Sequence, residues 1–366
     1  MPLEFSHTTL GQRVLFGAGQ AASRLAEEVQ RLGAQRIMLI ASASKRELAQ
    51  RVAAEIDVVV NYDNVVMHVP IEVAQDARQV ARKNAVDLLI CVGGGSTTGL
   101  AKAIALETRL PIIAVPTTYS GSEATNVWGL TEAARKTTGI DDVVLPTTVI
   151  YDAELTMSLP VELSVASGLN GMAHCIDAMW GPHANPINQA LAAEGISALA
   201  TGLPAIVQDS QDLAGREQLL YGAYLSAVAF TSAGSGLHHK ICHVLGGTYN
   251  LPHAQTHATV LAYVLAFNMD AAPDARDRIA KALGADDALE GLQQLRAQLG
   301  APDKLTDYGF TEADIVEAVK IILPAVPASN PRPVTAENLT ELLQAALVGD
   351  DPAVLLESPA SGPHTL

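Results

Sequence analysis

Short runs of apolar residues alternate with amphipathic helical patterns over about the first 155 residues of the chain. The apolar runs fall at 36–42, 87–92, 112–115 and 148–152, and the segments between them carry apolar residues three and four positions apart. Strands that are apolar throughout are typical of a parallel sheet with helices on both faces. We therefore expect an α/β fold with a Rossmann-like, doubly wound parallel sheet that binds ligands at the carboxyl ends of its strands.

The rest of the chain carries little strand signal. Helical patterns follow one another at 185–203, 215–234, 274–284, 314–323 and 337–347. A chain of 366 residues also exceeds the roughly 250 to 300 residues at which a single core stops growing. We predict two directly packed domains, a dinucleotide-binding α/β domain at 1–155 and an all-helical substrate and catalytic domain at 156–366, with the site in their cleft.

Charge and composition exclude several classes of protein. With 23 Lys and Arg against 39 Asp and Glu, the net charge is −16, which argues against nucleic-acid and anionic-membrane partners. The sequence offers no basic and apolar secretory signal and no uninterrupted apolar window near the ~18 to 20 residues of a spanning helix. Three cysteines without a CxxC pair fit a reducing compartment. We expect a cytoplasmic enzyme with a small-molecule substrate.

A glycine-rich turn follows the second of these apolar runs. Gly93, Gly94, Gly95 and Ser96 lie between a predicted strand and a helix that we expect to start near residue 97 or 98. Glycines allow close approach of an anion, and the free N–H groups of a helix start attract negative charge. The pattern matches neither GxGxxG nor GxxxxGK[ST], so a plain strand-to-helix turn is the alternative to a phosphate site.

The hydroxyl-rich segment 116–124 leaves the next strand. Its clustered threonines and serines, with a flexible glycine, are able to line a nicotinamide or carbonyl pocket. A capped turn at Ser122 and Glu123 explains the same residues equally well. Both interpretations stay open at this stage.

Seven of the ten histidines fall between residues 174 and 257. His239 and His243 are four apart, as are Asn170 and His174, so each pair shares a helix face, and His253 is expected in a loop after Pro252. Three imidazoles are a plausible ligand set for zinc or ferrous iron, although an amide at residue 170 gives less charge compensation than a carboxylate. Metal-free acid–base work and ordinary core packing are the alternatives.

Six segments together resemble the maleylacetate reductase branch of the iron-containing alcohol dehydrogenase family. They are FGAG at 16–19, GGGSTTGLAKAIAL at 93–106, PTTYSGSEAT at 116–125, SGLNGMAHCIDAMW at 167–180, GLHHKICHVLGGTYNLPHA at 236–254 and NPRPV at 330–334. The resemblance covers nearly the whole chain and implies a fold of the iron-containing alcohol dehydrogenase and dehydroquinate synthase type, assembled as a homodimer.

The resemblance also bears on a metal. Where the wider family has metal-binding aspartate and histidines, this chain has Asn170, His174, His239 and His253, and Gly99 stands where the family commonly has aspartate. Both departures remove acid from the cleft, and the branch resemblance implies an enzyme that works without metal. We therefore expect no metal cofactor.

The resemblance implies reduction of the carbon–carbon double bond of maleylacetate, a dicarboxylate, to 3-oxoadipate in bacterial aromatic-compound degradation. NADH is the expected cofactor, and NADPH is not excluded because the segment after the second strand, 41–45, carries no acidic residue. The catalytic candidates are His243 and His253, with His174 and His239 in support. The cofactor candidates are Gly94, Gly95, Ser96, Thr117, Thr118, Ser122 and Ser42, and the substrate candidates are Asn170, His238, Lys240, Arg332 and Tyr119.

Two other functions remain open. A metal-dependent alcohol or polyol dehydrogenase of the same fold would use iron or zinc despite Asn170. A non-catalytic dinucleotide-sensing protein would bind the nucleotide in the first domain and a partner through the helices, without turnover.

Overall fold

The structure of the protein is a computed structural model that describes residues 4–132 and 135–356. The outer limits of the predicted domains, 1 and 366, lie outside the described residues. Six strands form one parallel sheet in the order β1-β8-β5-β4-β2-β3, and β6 and β7 form a separate antiparallel hairpin. The strands are β1 Arg13–Phe16, β2 Ile37–Ile40, β3 Val58–Tyr62, β4 Leu88–Gly93, β5 Ile112–Pro116, β6 Val127–Glu132, β7 Arg135–Ile140 and β8 Thr148–Tyr151.

Helices cover both faces of this sheet. They are α1 Ala21–Leu32, α2 Arg46–Val52, α3 Ile71–Lys83 and α4 Gly95–Thr108. Along β4 successive side chains alternate between the two sides, so Ile90 packs in the same cluster as Leu25 of α1, and Leu89 packs in the same cluster as Ile104 of α4. Each face of the sheet therefore has its own apolar core, and the predicted doubly wound domain is confirmed.

The second part of the chain is helical, as predicted. Helices α5 to α9 pack together, and α10 to α13 cover them. Their bounds are α5 Val161–Trp180, α6 Pro186–Gln208, α7 Leu213–Ala233, α8 Leu237–Tyr249, α9 His253–Met269, α10 Pro273–Leu283, α11 Ala288–Leu299, α12 Glu312–Ile322 and α13 Ala336–Val348. By length and composition alone, α6 would be apolar enough to span a membrane, but it packs against α5 and α7 inside the helical domain.

The structure differs from the sequence-based expectation at three places. Strands β1 and β3 form the two edges of the sheet. Exposed positions interrupt both of them, so neither shows the fully buried apolar run of a central strand. Helix α4 begins at Gly95, two residues earlier than predicted, because Gly94 in an extended conformation is already its N-cap. His253 begins α9 instead of lying in a loop.

Arg216 of α7 links the two parts of the chain. Its side chain is fully buried, and its guanidinium donates to the backbone oxygens of Thr156 at 2.8 Å, Leu159 at 3.1 Å and Ser210 at 3.0 Å. It also donates to the hydroxyl of Tyr119 at 3.1 Å. The connecting segment between β8 and α5 is thus fixed to the helical layer. The predicted domain boundary at 155/156 falls in this segment and stays a prediction.

We expect Arg216→Met to destabilise the fold by more than ~3 kcal/mol, because several buried oxygens would lose their donor together. The matched control is Arg24→Met, which removes a cation paired with Glu27 at the surface and should cost less than ~1 kcal/mol. Urea unfolding followed by circular dichroism measures both. Equal shifts of the two midpoints would contradict the role assigned to Arg216.

Candidate functional site

The glycine-rich turn and the hydroxyl-rich segment lie side by side at the carboxyl edge of the sheet. Strands β4 and β5 pair in register so that Gly93 is opposite Pro116, and both segments leave the sheet from this point. A Cβ atom at residue 94 would lie 2.9 Å from Cγ2 of Thr118, so a larger residue here would require the Thr118 side chain to shift. The structure therefore brings Gly94 and Gly95 together with the neighbourhood of Thr117 and Thr118.

Buried hydroxyls face this turn without a hydrogen-bond partner among the described residues. They are Oγ1 of Thr118 and Oγ of Ser120, and the latter lies 3.3 Å from the Cβ position of Gly95. Buried polar atoms nearly always have a hydrogen-bond partner in native proteins. Two buried hydroxyls without one, next to the start of a helix, are therefore typical of a ligand site. Ser96 and Ser122 flank this place in sequence, and Ser42 follows β2, the strand next to β4, at the same edge.

Lys102 and Glu123 stabilise the end of the hydroxyl-rich segment and the residues that follow it. The sequence did not reveal this role. The Lys102 amine donates to the backbone oxygens of Thr125 and Val127 at 2.8 and 2.9 Å, and burial lowers its pKa to about 7. The Glu123 carboxylate accepts from the hydroxyl of Tyr151 at 2.8 Å, and burial raises its pKa. Lys102 thus fixes the residues just after this segment to α4, and Glu123 fixes the end of the segment to β8.

Tyr119, a predicted substrate contact, points into the interior. Its ring is buried, and its hydroxyl donates to Oγ1 of Thr156 at 3.2 Å while accepting from Arg216. These contacts place Tyr119 in the junction between the two parts of the chain.

Three helices bring most of the predicted histidines together. Helix α5 supplies Asn170 and His174, α8 supplies His238, His239 and His243, and α9 begins with His253. The ring of His239 is the centre of the cluster, with ring centroids of His174 at 4.9 Å and His243 at 5.9 Å. His257 lies one turn after His253 on α9. Its ring lies between those of His239 and His253, with centroid distances of 4.9 and 4.3 Å.

Asp177, one turn after His174 on α5, was not predicted as part of the site. Its Oδ2 atom lies 2.7 Å from Nδ1 of His239 and accepts from the backbone N–H groups of Gly236 at 3.0 Å and His239 at 3.2 Å. A Cβ atom at residue 236 would lie 2.5 Å from Oδ1 of Asp177, so this turn requires glycine. Burial raises the pKa of Asp177 to about 7, and the backbone donors oppose that rise.

Burial makes the inner histidines neutral at neutral pH. It lowers the pKa of His174 and of His238 to about 3 and holds those of His239 and His257 well below the usual range, and the surrounding imidazoles add to each effect. His238, a predicted substrate contact, and its neighbour His239 therefore contribute no positive charge that would attract an anionic substrate. The next residue, Lys240, carries a formal positive charge.

Several buried polar atoms of the cluster lack a hydrogen-bond partner among the described residues. The set comprises Asn170 Oδ1, His174 Nδ1, His238 Nδ1, His239 Nε2 and His257 Nε2. Their number is unusual for a folded interior, and it indicates that something other than the described chain satisfies part of this site.

Arg332 lies apart from the histidines. Its guanidinium is 4.4 Å above the ring of Phe267 and donates to the backbone oxygen of Leu355 at 2.7 Å, in a cleft of about 350 Å³. Phe267 is ten residues beyond His257 on the same helix, which corresponds to roughly 15 Å at 1.5 Å per residue. The structure does not bring Arg332 into the cluster.

Sequence comparison identifies the family. The model of the iron-containing alcohol dehydrogenase family matches residues 11–153, and that of the C-terminal part of the Fe-containing alcohol dehydrogenase family matches residues 164–347. The chain belongs to the iron-containing alcohol dehydrogenase family. Its curated relatives include a maleylacetate reductase from Delftia acidovorans, which is 44% identical over 352 residues, covering 96% of this chain and 99% of the relative.

Solved structures agree with this assignment. An iron-containing alcohol dehydrogenase from Corynebacterium glutamicum is 65% identical with a TM-score of 0.96, covering 97% of this chain and 100% of that one. The maleylacetate reductase from Agrobacterium tumefaciens is 39% identical with a TM-score of 0.92, covering 96% and 100%.

The expectation that no metal takes part is wrong. The matched family is described as iron-containing, and the structure groups buried side chains that are able to hold an ion. His238, Cys242 and His257 offer ligand atoms within 4.8 Å of one another. The Asn170 amide, on which the expectation rested, weakens a metal site without abolishing it, because a neutral oxygen is still a ligand.

Two groups of buried donor atoms are candidates for a metal site. In the first, Nε2 of His238 lies 3.1 Å from Nδ1 of His257 and 3.6 Å from Sγ of Cys242, close to the roughly 3.3 and 3.6 Å between ligands of a tetrahedral site with ordinary bond lengths.

The second group has unpaired atoms at His174, His239 and Asn170, and Asp177 supports His239 in the way carboxylates support metal-bound histidines. We favour the second group, because its atoms are unpaired whereas burial keeps the Cys242 thiol protonated by raising its pKa.

We expect Asn170→Asp to tighten binding of Co²⁺ by at least tenfold, because a carboxylate compensates the charge of the ion where an amide does not. Titration of chelator-stripped protein, followed by the visible spectrum of Co²⁺, measures this affinity. The control is Cys242→Ser, which leaves the second donor group intact. Loss of Co²⁺ binding in the Cys242 variant, with no gain in the Asn170 variant, would instead assign the metal to His238, Cys242 and His257.

Proposed function

We propose that the protein is an NADH-dependent maleylacetate reductase, which reduces the carbon–carbon double bond of maleylacetate to 3-oxoadipate. The observation that carries this proposal is the histidine cluster on α5, α8 and α9, in a chain that is 44% identical to a maleylacetate reductase over 96% of its length. NADPH remains an alternative cofactor, since 41–45 carries no acidic side chain.

The cofactor is proposed to bind along the carboxyl edge of the sheet. Its pyrophosphate would lie at Gly94, Gly95 and Ser96, where the N–H groups at the start of α4 are available. The unpaired hydroxyl of Thr118, beside the glycine turn, is suited to the nicotinamide end, together with Thr117 and Ser122. Ser42 is suited to the adenosine ribose, because it follows the neighbouring strand β2.

Bound NADH would supply the hydride, which adds to the alkene carbon β to the ketone. The electron pair of the double bond moves towards the ketone oxygen, giving an enolate, and a proton is then added at the α-carbon. One NADH and one proton are consumed. Hydrogen-bond donors aimed at the ketone oxygen stabilise the charge that develops there.

His243 and His253 are the proposed proton donors. They lie on the two sides of the inner pair His239 and His257, on different helices. Lys240 supplies the charge for a substrate carboxylate, and Asn170 is suited to a hydrogen bond with the substrate or a metal. A bound divalent metal, held by His174, His239 and Asn170, would supply polarisation of the ketone oxygen.

A second candidate is a metal-dependent alcohol dehydrogenase. It is favoured by the 65% identity to the Corynebacterium glutamicum protein, whose name is iron-containing alcohol dehydrogenase. The two candidates differ in the bond that receives the hydride, an alkene in the reductase and a carbonyl in the dehydrogenase.

Its relatives are enzymes that act on small molecules. We propose that this protein is a cytoplasmic homodimer with a small-molecule dicarboxylate substrate. We propose that residues 1–155 bind the nucleotide and that residues 156–366 bind the substrate.

We expect the protein to oxidise NADH with freshly prepared maleylacetate, and His243→Ala to lower kcat by roughly 100-fold or more, the usual contribution of a general acid. The matched control is His183→Ala. The recorded hydrogen bonds of His183 use only its backbone, so its removal should leave kcat nearly unchanged.

The same assay separates the candidates. Identification of the product as 3-oxoadipate supports the reductase. Turnover of simple alcohols with NAD⁺, and none with maleylacetate, would support the dehydrogenase, and nucleotide binding without any turnover would leave only a sensing role.

We also expect Gly94→Ala to raise the Kd for NADH by at least tenfold, because the added Cβ would push against Thr118 at the proposed pyrophosphate site. Gly11→Ala is the control, since a Cβ there meets no atom within 4 Å. Quenching of protein fluorescence or calorimetry gives both constants. Unchanged NADH binding in the Gly94 variant would exclude this turn from the cofactor site.

A further inference from the structure

The hydrogen bonds of Asp177 determine which nitrogen of His239 carries its proton. Oδ2 of Asp177 accepts from two backbone N–H groups, those of Gly236 and His239, and a backbone N–H is able only to donate. An oxygen whose lone pairs already accept two backbone N–H groups carries no proton itself, in either form of the carboxyl group. The third contact of the same oxygen, 2.7 Å to Nδ1 of His239, is then a bond in which the ring nitrogen donates.

The other ring nitrogen of His239 follows from this. A neutral imidazole carries one proton, so a protonated Nδ1 leaves a lone pair on Nε2. Nε2 of His239 is buried and has no hydrogen-bond partner among the described residues. His174 stacks on the ring with centroids 4.9 Å apart, and Phe230 packs against it in a tilted orientation at 4.2 Å, so both restrict its rotation.

We infer that Asp177 is a positioning residue that holds His239 with its proton on Nδ1 and presents Nε2 as an electron-pair donor to the site. His239 is thereby suited to hold a metal ion or to accept a hydrogen bond, and not to donate a proton to substrate. The inference refines the proposed function and rests on it for the consequence that protons come from His243 or His253.

The tautomer is measured on the substrate-free wild-type protein by nitrogen NMR with ¹⁵N-labelled histidine. Spectra of His239→Gln identify the two ring resonances of His239 by their loss. We expect Nε2 to resonate as an unprotonated nitrogen and Nδ1 as a protonated one. A protonated Nε2 in the wild type would overturn the inference without any variant of Asp177 and regardless of which substrate the enzyme reduces.

Asp177→Asn tests the source of this preference. The amide keeps the size of the side chain but loses the charge, so we expect a larger population with the proton on Nε2 and a 10- to 100-fold loss of Co²⁺ affinity, the usual effect of removing such a carboxylate. Asp152→Asn is the matched control, because Asp152 is another buried carboxylate that accepts from backbone N–H groups, those of Gly19, Ala21 and Glu154.

The control is expected to lose stability while His239 keeps its wild-type resonances and Co²⁺ affinity. An Asp177 variant with wild-type resonances and wild-type Co²⁺ affinity would overturn the inference. So would the same changes in both variants, because that result would reduce the effect to a general loss of stability.

Discussion

The six strands of the main sheet all run in one direction, and the position of the proposed cofactor site follows from this. Parallel strands end at the same edge, so the segments after β2, β4 and β5 emerge together although long stretches of sequence separate them. Burial on both faces keeps this edge rigid. Lys102 and Arg216 then fix the loops beyond the edge through backbone oxygens, which leaves the hydroxyls of Thr118 and Ser120 available to a ligand.

The helical domain contains a polar interior that lowers the stability of the fold, and its apolar packing compensates for this loss. A buried polar atom without a partner costs about 1 to 3 kcal/mol, and the histidine cluster contains several. Three long helices packed on one another, α5, α8 and α9, hold these side chains in place, and Asp177 pairs with the central ring. The stability of the surrounding apolar core therefore maintains a site whose own atoms are not satisfied by the chain.

Sequence periodicity predicted the central strands because burial on both faces makes them apolar throughout, whereas β1 and β3 were missed because edge strands lack that signature. The histidine cluster was predictable because helical spacing of three and four residues places side chains on one face. Asp177 was not, since an isolated acid on a helix is usually solvated. The separation of Arg332 from the cluster depends on how α9 crosses the domain, which local patterns do not encode.

The charge of a bound metal ion bears directly on how the proposed anionic substrate would bind. Burial leaves the inner histidines neutral, and Asn170 is an amide, so the favoured donor group adds no negative charge. An ion held by neutral donors keeps its full positive charge, and its electric field is weakly screened in a buried site. A dicarboxylate entering a protein with a net charge of −16 needs such local compensation. An amide at residue 170 is therefore compatible with both a bound metal and an anionic substrate.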